Sequence, residues 1–274
     1  MNNYILEIRN LTTVYHTPRG DAYALRDVNF SVRRGEVLAI VGESGSGKST
    51  LGLSVMRLIE PPGEITKGKV IFNGSDGSVS ILELNPYEIR KFRWKSVAMI
   101  FQSAMNVLNP VARIEEQFYD TFRAHNINGN LSDRINHYLQ IAGLGPNVRR
   151  LYPHELSGGM RQRVMIALAL SCEPELLIAD EPTTALDVVI QREILSSILK
   201  IKRDFNLTVI FITHDLAVAS SLADRIAIFY AGRPVELGKI DTVVTQPKHP
   251  YTGLLLSSTI SMDSDRDAPL RTLA

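Results

Sequence analysis

Val37-Leu-Ala-Ile-Val-Gly-Glu-Ser-Gly-Ser-Gly-Lys-Ser-Thr50 runs from five apolar residues into a glycine-rich loop that ends in Lys48 and Ser49. A short apolar run bounded by glycine reads as a buried strand, and the pattern from Leu51 onward reads as a helix. Strand, glycine-rich loop and helix together are the setting that a phosphate-binding loop needs. The glycines let successive backbone N–H groups turn inward around a triphosphate, and the helix N-terminus adds positive potential. The expected cradle comprises Gly42, Glu43, Ser44, Gly45, Ser46, Gly47, Lys48, Ser49 and Thr50. Lys48 would reach the β- and γ-phosphates, and the Ser49 hydroxyl would ligate Mg²⁺. A glycine-rich turn with a chance lysine would lack these flanks.

Around this stretch the chain is sheet-rich from Tyr4 to about Leu84, helical from about Asn85 to Leu156, and alternating beyond Ser157. Amphipathic helices are predicted over Arg113 to His125 and Leu131 to Ala142. The later part reads as a helix through Val164 to Leu170, a strand Leu176 to Ala179, a helix Gln191 to Arg203 and a strand Thr208 to Thr213. A short helix Leu216 to Leu222 and a strand Ile226 to Tyr230 follow. Alternating strands and helices require crossovers, hence a parallel sheet. Leu176-Leu-Ile-Ala-Asp-Glu181 is a buried strand ending in two carboxylates. At the carboxyl edge of such a sheet, Asp180 is placed to hold Mg²⁺ through water, and Glu181 to polarise an attacking water as a general base. Paired acids after a strand can also be a plain helix cap; beside a phosphate-binding loop the chemical reading is the stronger.

The 274 residues are 45% hydrophobic and 22% charged, with 30 Lys+Arg against 29 Asp+Glu. That balance gives no electrostatic reason to expect nucleic acid as a partner. Arg90, Lys91, Arg93 and Lys95 interleave with Phe92 and Trp94, and are read as a solvated helix end. One cysteine, Cys172, excludes an internal disulfide framework and is read as a small packed residue. No apolar run approaches the roughly 18–20 residues that span a bilayer, and Met1 to Asn10 has strand-like alternation, which speaks against export. Repeats and low-complexity tracts are absent from the sequence, and the stretch after Asp263 is expected to be loosely ordered.

Leu156-Ser-Gly-Gly-Met160 stands just before another helix. By itself it is a Ser157 N-cap followed by bare glycine N–H groups. With the loop at 42–50 and the Asp-Glu strand, it makes the chain resemble the nucleotide-binding subunit of an ATP-binding cassette (ABC) transporter from Tyr4 to about Ser258. The resemblance implies an α/β fold: a P-loop NTPase with a RecA-like parallel-sheet core, an N-terminal antiparallel β subdomain and a helical subdomain inserted at about 85–156. These form one domain over 1–262, with a tail at 263–274. It further implies that Gln102, after Val97 to Ile100, contacts Mg²⁺ and water; that Ala185-Leu-Asp187 crosses between subunits; and that His214 contacts the γ-phosphate. Tyr15 is the favoured adenine-stacking aromatic, with Tyr23 as competitor, because Thr17-Pro-Arg-Gly-Asp21 looks like a loop insertion.

In that family two cassettes pack head to tail, each lending Ser157, Gly158 and Gly159 to the other's ATP. The C-terminal His249-Pro-Tyr-Thr252 and the Met160 variant resemble the dipeptide, oligopeptide and nickel importer branch. That branch implies a non-identical ATPase partner, two transmembrane permease subunits, an extracytoplasmic solute-binding protein acting indirectly, and a place on the cytoplasmic face of the membrane. Met105, Val107 and Leu108 would form a docking loop for the permease, with ordinary core packing as the alternative. The resemblance favours di- or oligopeptides as solute, with nickel or oligosaccharide as alternatives. A soluble ABC-type ATPase is the less favoured class, since the coiled-coil or zinc insert of such proteins is missing. Relatives in this branch often continue past the position of Ala274 into a segment with several cysteines; this sequence carries only Cys172.

Overall fold

β1 (Tyr4–Thr17) and β2 (Gly20–Arg33) form an antiparallel hairpin in the computed structural model, which describes residues 3–102, 107–183 and 187–258. Thr17-Pro-Arg-Gly-Asp21 is therefore a tight turn within a hairpin, where the sequence suggested a loop insertion. Gly20 takes φ +115°, a conformation open to glycine, and the Thr17 hydroxyl donates to the Gly20 carbonyl at 2.7 Å, closing the turn around Pro18 and Arg19. β4 (Gly63–Gly74) pairs with the other edge of β1, and with β5 (Gly77–Ser80) the order is β2-β1-β4-β5. Leu6, Ile8, Leu11, Leu25, Val28 and Val70 are buried, as an antiparallel sheet covered on one face requires.

The described residues divide into two compact units. This sheet lies in the first, which falls within Met1–Asn73, Ser78–Leu82 and Ile210–Ala274. The same unit carries β3 (Val37–Val41), whose five residues are all buried, followed by α1 (Lys48–Val55). β9 (Arg225–Tyr230) runs parallel to β3, Ile40 facing Ala227, and β10 (Arg233–Lys239) returns antiparallel to β9. α7 (Leu216–Leu222), α8 (Ile240–Thr245) and α9 (Pro250–Ser258) complete it. The Glu36 carboxylate accepts from the Arg33 N–H at 2.7 Å and from Arg225 at 2.9 Å, while Asp224 accepts from the Val37 N–H at 2.7 Å. These bonds fix β3 against β9, and so fix where β3 releases the chain at Gly42.

In the second unit, within Gly74–Gly77 and Glu83–Val209, lies the helical stretch expected at 85–156. α2 (Pro86–Phe92) starts in a capping box: the Asn85 side chain accepts from the Tyr87 and Glu88 N–H groups, and Glu88 accepts from the Asn85 N–H. Phe92 is buried and Arg90 and Lys91 are exposed, the solvated helix end read from the sequence. β6 (Val97–Ile100) interrupts the helices and pairs parallel with β7 (Leu176–Asp180). α3 (Ile114–Ala124) buries Ile114, Phe118 and Phe122, and α4 (Leu131–Ile141) buries Ile135, Tyr138 and Leu139. Arg149 ties them together, donating to Glu115 at 2.7 Å and to Ser132 at 2.5 Å.

α5 (Gly158–Leu170) follows, and α6 (Val188–Phe205) is longer than predicted because Asp187 caps one end and Asn206, at φ +49°, closes the other. β8 (Thr208–Thr213), wholly buried, has the span predicted for it and crosses the boundary between the units in sequence. Cys172 is buried, and burial pushes its thiol up to about 11, consistent with a packed residue. Among the described residues no helix is long and apolar enough to cross a membrane.

Replacing Glu36 by Ala leaves Arg225, whose side chain is only 13% exposed, with the Ser31 carbonyl but without its carboxylate. The expected loss is about 3 kcal/mol, the scale for breaking a buried pair from one side, read as a lowered denaturation midpoint.

Candidate functional site

The loop at 42–50 is shaped by two close approaches of backbone. A Cβ on Gly42 would lie 2.2 Å from the Phe229 carbonyl oxygen, and one on Gly47 would lie 2.3 Å from the Ala24 carbonyl oxygen. Gly47 also takes φ +101° and caps α1 without a side chain. The Gly232 N–H donates to the Ser46 carbonyl at 3.0 Å, holding the loop from the β9–β10 turn. Lys48 is buried, and its ammonium donates to the carbonyls of Gly42 and Glu43, each at 2.7 Å. The loop thus sets a buried positive charge beside the N-terminus of α1, an arrangement that suits a bound anion. Glu43, Ser44 and Gly45 are exposed, and Ser49 and Thr50 are half-buried.

In the second unit β7 delivers Asp180 to its end, 4% exposed, and the chain then turns sharply. Glu181 takes φ +45°, a left-handed conformation that costs a residue with a side chain about 1 kcal/mol or more. The Gln102 side-chain amide, just past β6, donates to the Glu181 carboxylate at 2.9 Å. The parallel pairing of β6 with β7 thus brings together two residues 79 positions apart. Nothing in the sequence announces the strained backbone at Glu181.

Ser157 caps α5, its hydroxyl accepting from the Met160 N–H at 3.2 Å. A Cβ on Gly159 would lie 2.9 Å from the Ile190 side chain, so α5 and α6 meet closely there. Asp187 caps α6, accepting from the Ile190 N–H at 2.9 Å. Ser157, Gly158, Gly159 and Asp187 line one open recess of about 600 Å³. Ala185 and Leu186 lie outside the described residues, as does Met105. In the docking loop expected around Met105, Val107 is 48% exposed and Leu108 is buried at 4%.

His214 is exposed at the end of β8, and Asp215 caps α7 through the Ala217 and Val218 N–H groups. Tyr15 is half-buried with its ring against Gly63, while Tyr23 is 48% exposed beneath Arg26.

Residues 25–184 match the family described as ABC transporter. The chain belongs to the ABC transporter family. Residues 235–274 match the family described as oligopeptide/dipeptide transporter, C-terminal region. This ABC ATPase is 43% identical over 271 residues to the oligopeptide transport ATP-binding protein OppD of Escherichia coli K12, covering 97% of this chain and 79% of that protein. It is 41% identical over 268 residues to the dipeptide transport ATP-binding protein DppD of Lactococcus lactis, covering 96% of this chain and 76% of that one. A similar solved structure is the dimeric, post-hydrolysis ATP-binding cassette MJ0796 bound to ADP and Pi. Its TM-score is 0.75 at 29% identity, over 86% of this chain and 98% of that chain.

Sequence reasoning missed what holds the ABC ATPase loop from behind: Phe229, Gly232 and Tyr251. The motif His249-Pro-Tyr-Thr252 was visible, but carried no hint that it reaches Glu43. Gly42→Ala is expected to destabilise the nucleotide-free chain by about 1–3 kcal/mol, because the neighbour is backbone and cannot yield cheaply. Gly45→Ala, with nothing within 4 Å of the added carbon, meets only the strain of φ +79° and should cost about 1 kcal/mol. Thermal unfolding of the two variants compares them directly.

Proposed function

We propose that the chain is the ATP-hydrolysing subunit of an importer for di- or oligopeptides, docked peripherally on the cytoplasmic face of the membrane. The observation that carries this reading is the match along almost the whole chain to oligopeptide and dipeptide transport ATP-binding proteins, its last part included. Peptides are favoured as solute on that ground over nickel or oligosaccharide.

The loop from Gly42 to Gly47 binds the phosphates through its N–H groups, Lys48 neutralises the β- and γ-phosphates, and Tyr15 stacks on the adenine. Tyr15 is preferred to Tyr23 because its ring is already braced on Gly63. Ser49, Asp180 and Gln102 supply oxygen donors of the hard kind that suits Mg²⁺. When bound, Mg²⁺ offsets charge on the phosphates during transfer. Glu181 accepts the proton of the attacking water, and its hydrogen bond to Gln102 sets where the carboxylate sits. His214 binds the γ-phosphate oxygen.

The second half of each site comes from a second cassette packed head to tail, which offers Ser157, Gly158 and Gly159 to the γ-phosphate and Asp187 across the interface. The recess these residues line is open to receive it. Met160 in place of a glutamine supports a non-identical partner. Two permease subunits dock on the helical part near Val107, and an extracytoplasmic solute-binding protein chooses the cargo.

ATP turnover should be slow for the chain alone and rise when it is assembled with its partner ATPase and permeases in vesicles with a peptide-loaded binding protein. Fast turnover that ignores the membrane subunits would favour a soluble ATPase, and stimulation by nickel or an oligosaccharide instead of peptide would change the cargo. Lys48→Ala should weaken ATP binding and abolish turnover. Glu181→Gln should retain ATP yet lose about 10²–10³ in rate; substantial hydrolysis by that variant would remove Glu181 from its role. Ser157→Ala in this chain alone should slow hydrolysis at the partner's loop more than at its own, as a mixed-dimer assay with one inactivated site per dimer would read.

A further inference from the structure

The motif His249-Pro-Tyr-Thr252 meets the 42–50 loop only from behind, and each of its first three residues has a definite task. His249 accepts the Tyr251 N–H on its Nδ1 at 3.2 Å, and Pro250 opens α9, where a missing N–H is harmless. The N–H groups of Lys248 and His249 donate to the two carboxylate oxygens of Glu236 on β10, at 2.9 and 3.0 Å. So held, Tyr251 is 4% exposed, its ring packs on Tyr230 with centroids 4.4 Å apart, and its hydroxyl accepts from the Glu43 N–H at 3.3 Å.

That N–H belongs to the peptide plane joining Gly42 to Glu43. The carbonyl of the same plane is the Gly42 oxygen, to which Lys48 donates at 2.7 Å. A peptide group is rigid, so fixing its N–H fixes the direction of its C=O. The Gly42 side of the plane cannot shift toward β9, because the Phe229 carbonyl stands there. Burial raises the Tyr251 pKa, aided by the Glu43 carboxylate and by Tyr230 and opposed by the Glu43 N–H. The phenol therefore stays protonated, and its oxygen takes that N–H as a neutral hydroxyl.

We propose that Tyr251 is a positioning residue for ATP: through the Gly42–Glu43 peptide it sets the orientation of the loop and of Lys48, and links the C-terminal helix α9 to nucleotide affinity. The inference rests on the reading of the 42–50 loop as the ATP site, and its test separates the two.

Hydrogen exchange of the full wild-type chain without nucleotide should show a protected Glu43 amide. Tyr251→Phe, which keeps the ring and its packing on Tyr230, should expose that amide to exchange. The same variant should weaken ATP binding, measured by calorimetry, and raise the ATP KM by about two- to tenfold, the range of one neutral hydrogen bond. Its kcat should stay within about twofold, since the groups around Glu181 are untouched. A purely structural role for Tyr251 would lower the unfolding midpoint while leaving KM in place, and would overturn the proposal. So would a fast-exchanging Glu43 amide in the wild type, a measurement that decides the matter even if the variant does not fold. Wild-type chain that binds no ATP would instead overturn the reading of the loop; Lys48→Ala, assayed alongside, marks that case.

Discussion

At the end of β3 the backbone passes so close to its neighbours that no side chain fits: the Phe229 carbonyl stands where a Gly42 Cβ would go, and the Ala24 carbonyl where a Gly47 Cβ would go. The form of the loop's two ends follows from this crowding. The chain can turn only with glycines, the turn leaves α1 without a capping side chain, and Lys48 folds inward onto the loop's own carbonyls. The crowding is imposed by pieces distant in sequence. β9 must lie parallel to β3, which Glu36, Asp224 and Arg225 secure. A phosphate-binding loop is thus a local motif whose shape is a property of the surrounding sheet.

Helix caps elsewhere serve two ends. Ser157 and Asp187 each satisfy the first amides of a helix, and the same residues line the recess that a partner cassette would meet. A cap must sit at a helix N-terminus, which is also where positive potential concentrates. Stability and anion recognition therefore ask for the same short polar residues in the same place. Glu181 is the contrast: its left-handed backbone opposes local preference, and a hydrogen bond from Gln102 steadies the carboxylate that results.

Local signals carried much of the architecture in the sequence. Thr208–Thr213 and Leu216–Leu222 are found with the ends expected of them, because their apolar runs are bounded by strong turn or capping residues. The α6 helix was underestimated, since Val188 and Val189 do not resemble a helix start until Asp187 is seen as its cap. β10, α8 and α9 went unpredicted; their pattern is half-exposed, and what anchors them is Glu236 reaching Lys248 and His249. The motifs at 42–50, 156–160 and 180–181 stood out in the sequence because the chemistry proposed for each needs fixed residue types at short spacing. The bracing by Phe229 and Tyr251 was not, for it depends on which distant strand lies alongside.

Cys172, packed at the end of α5 with its thiol held protonated, offers the experimenter a silent background. It is the sequence's single cysteine, and a buried thiol of high pKa reacts slowly with maleimides near neutral pH. A second cysteine placed at an exposed position such as Val189, 66% open to solvent, would take a fluorophore or spin probe alone. With a matching probe on the partner cassette of the proposed dimer, its opening and closing would be read as a distance.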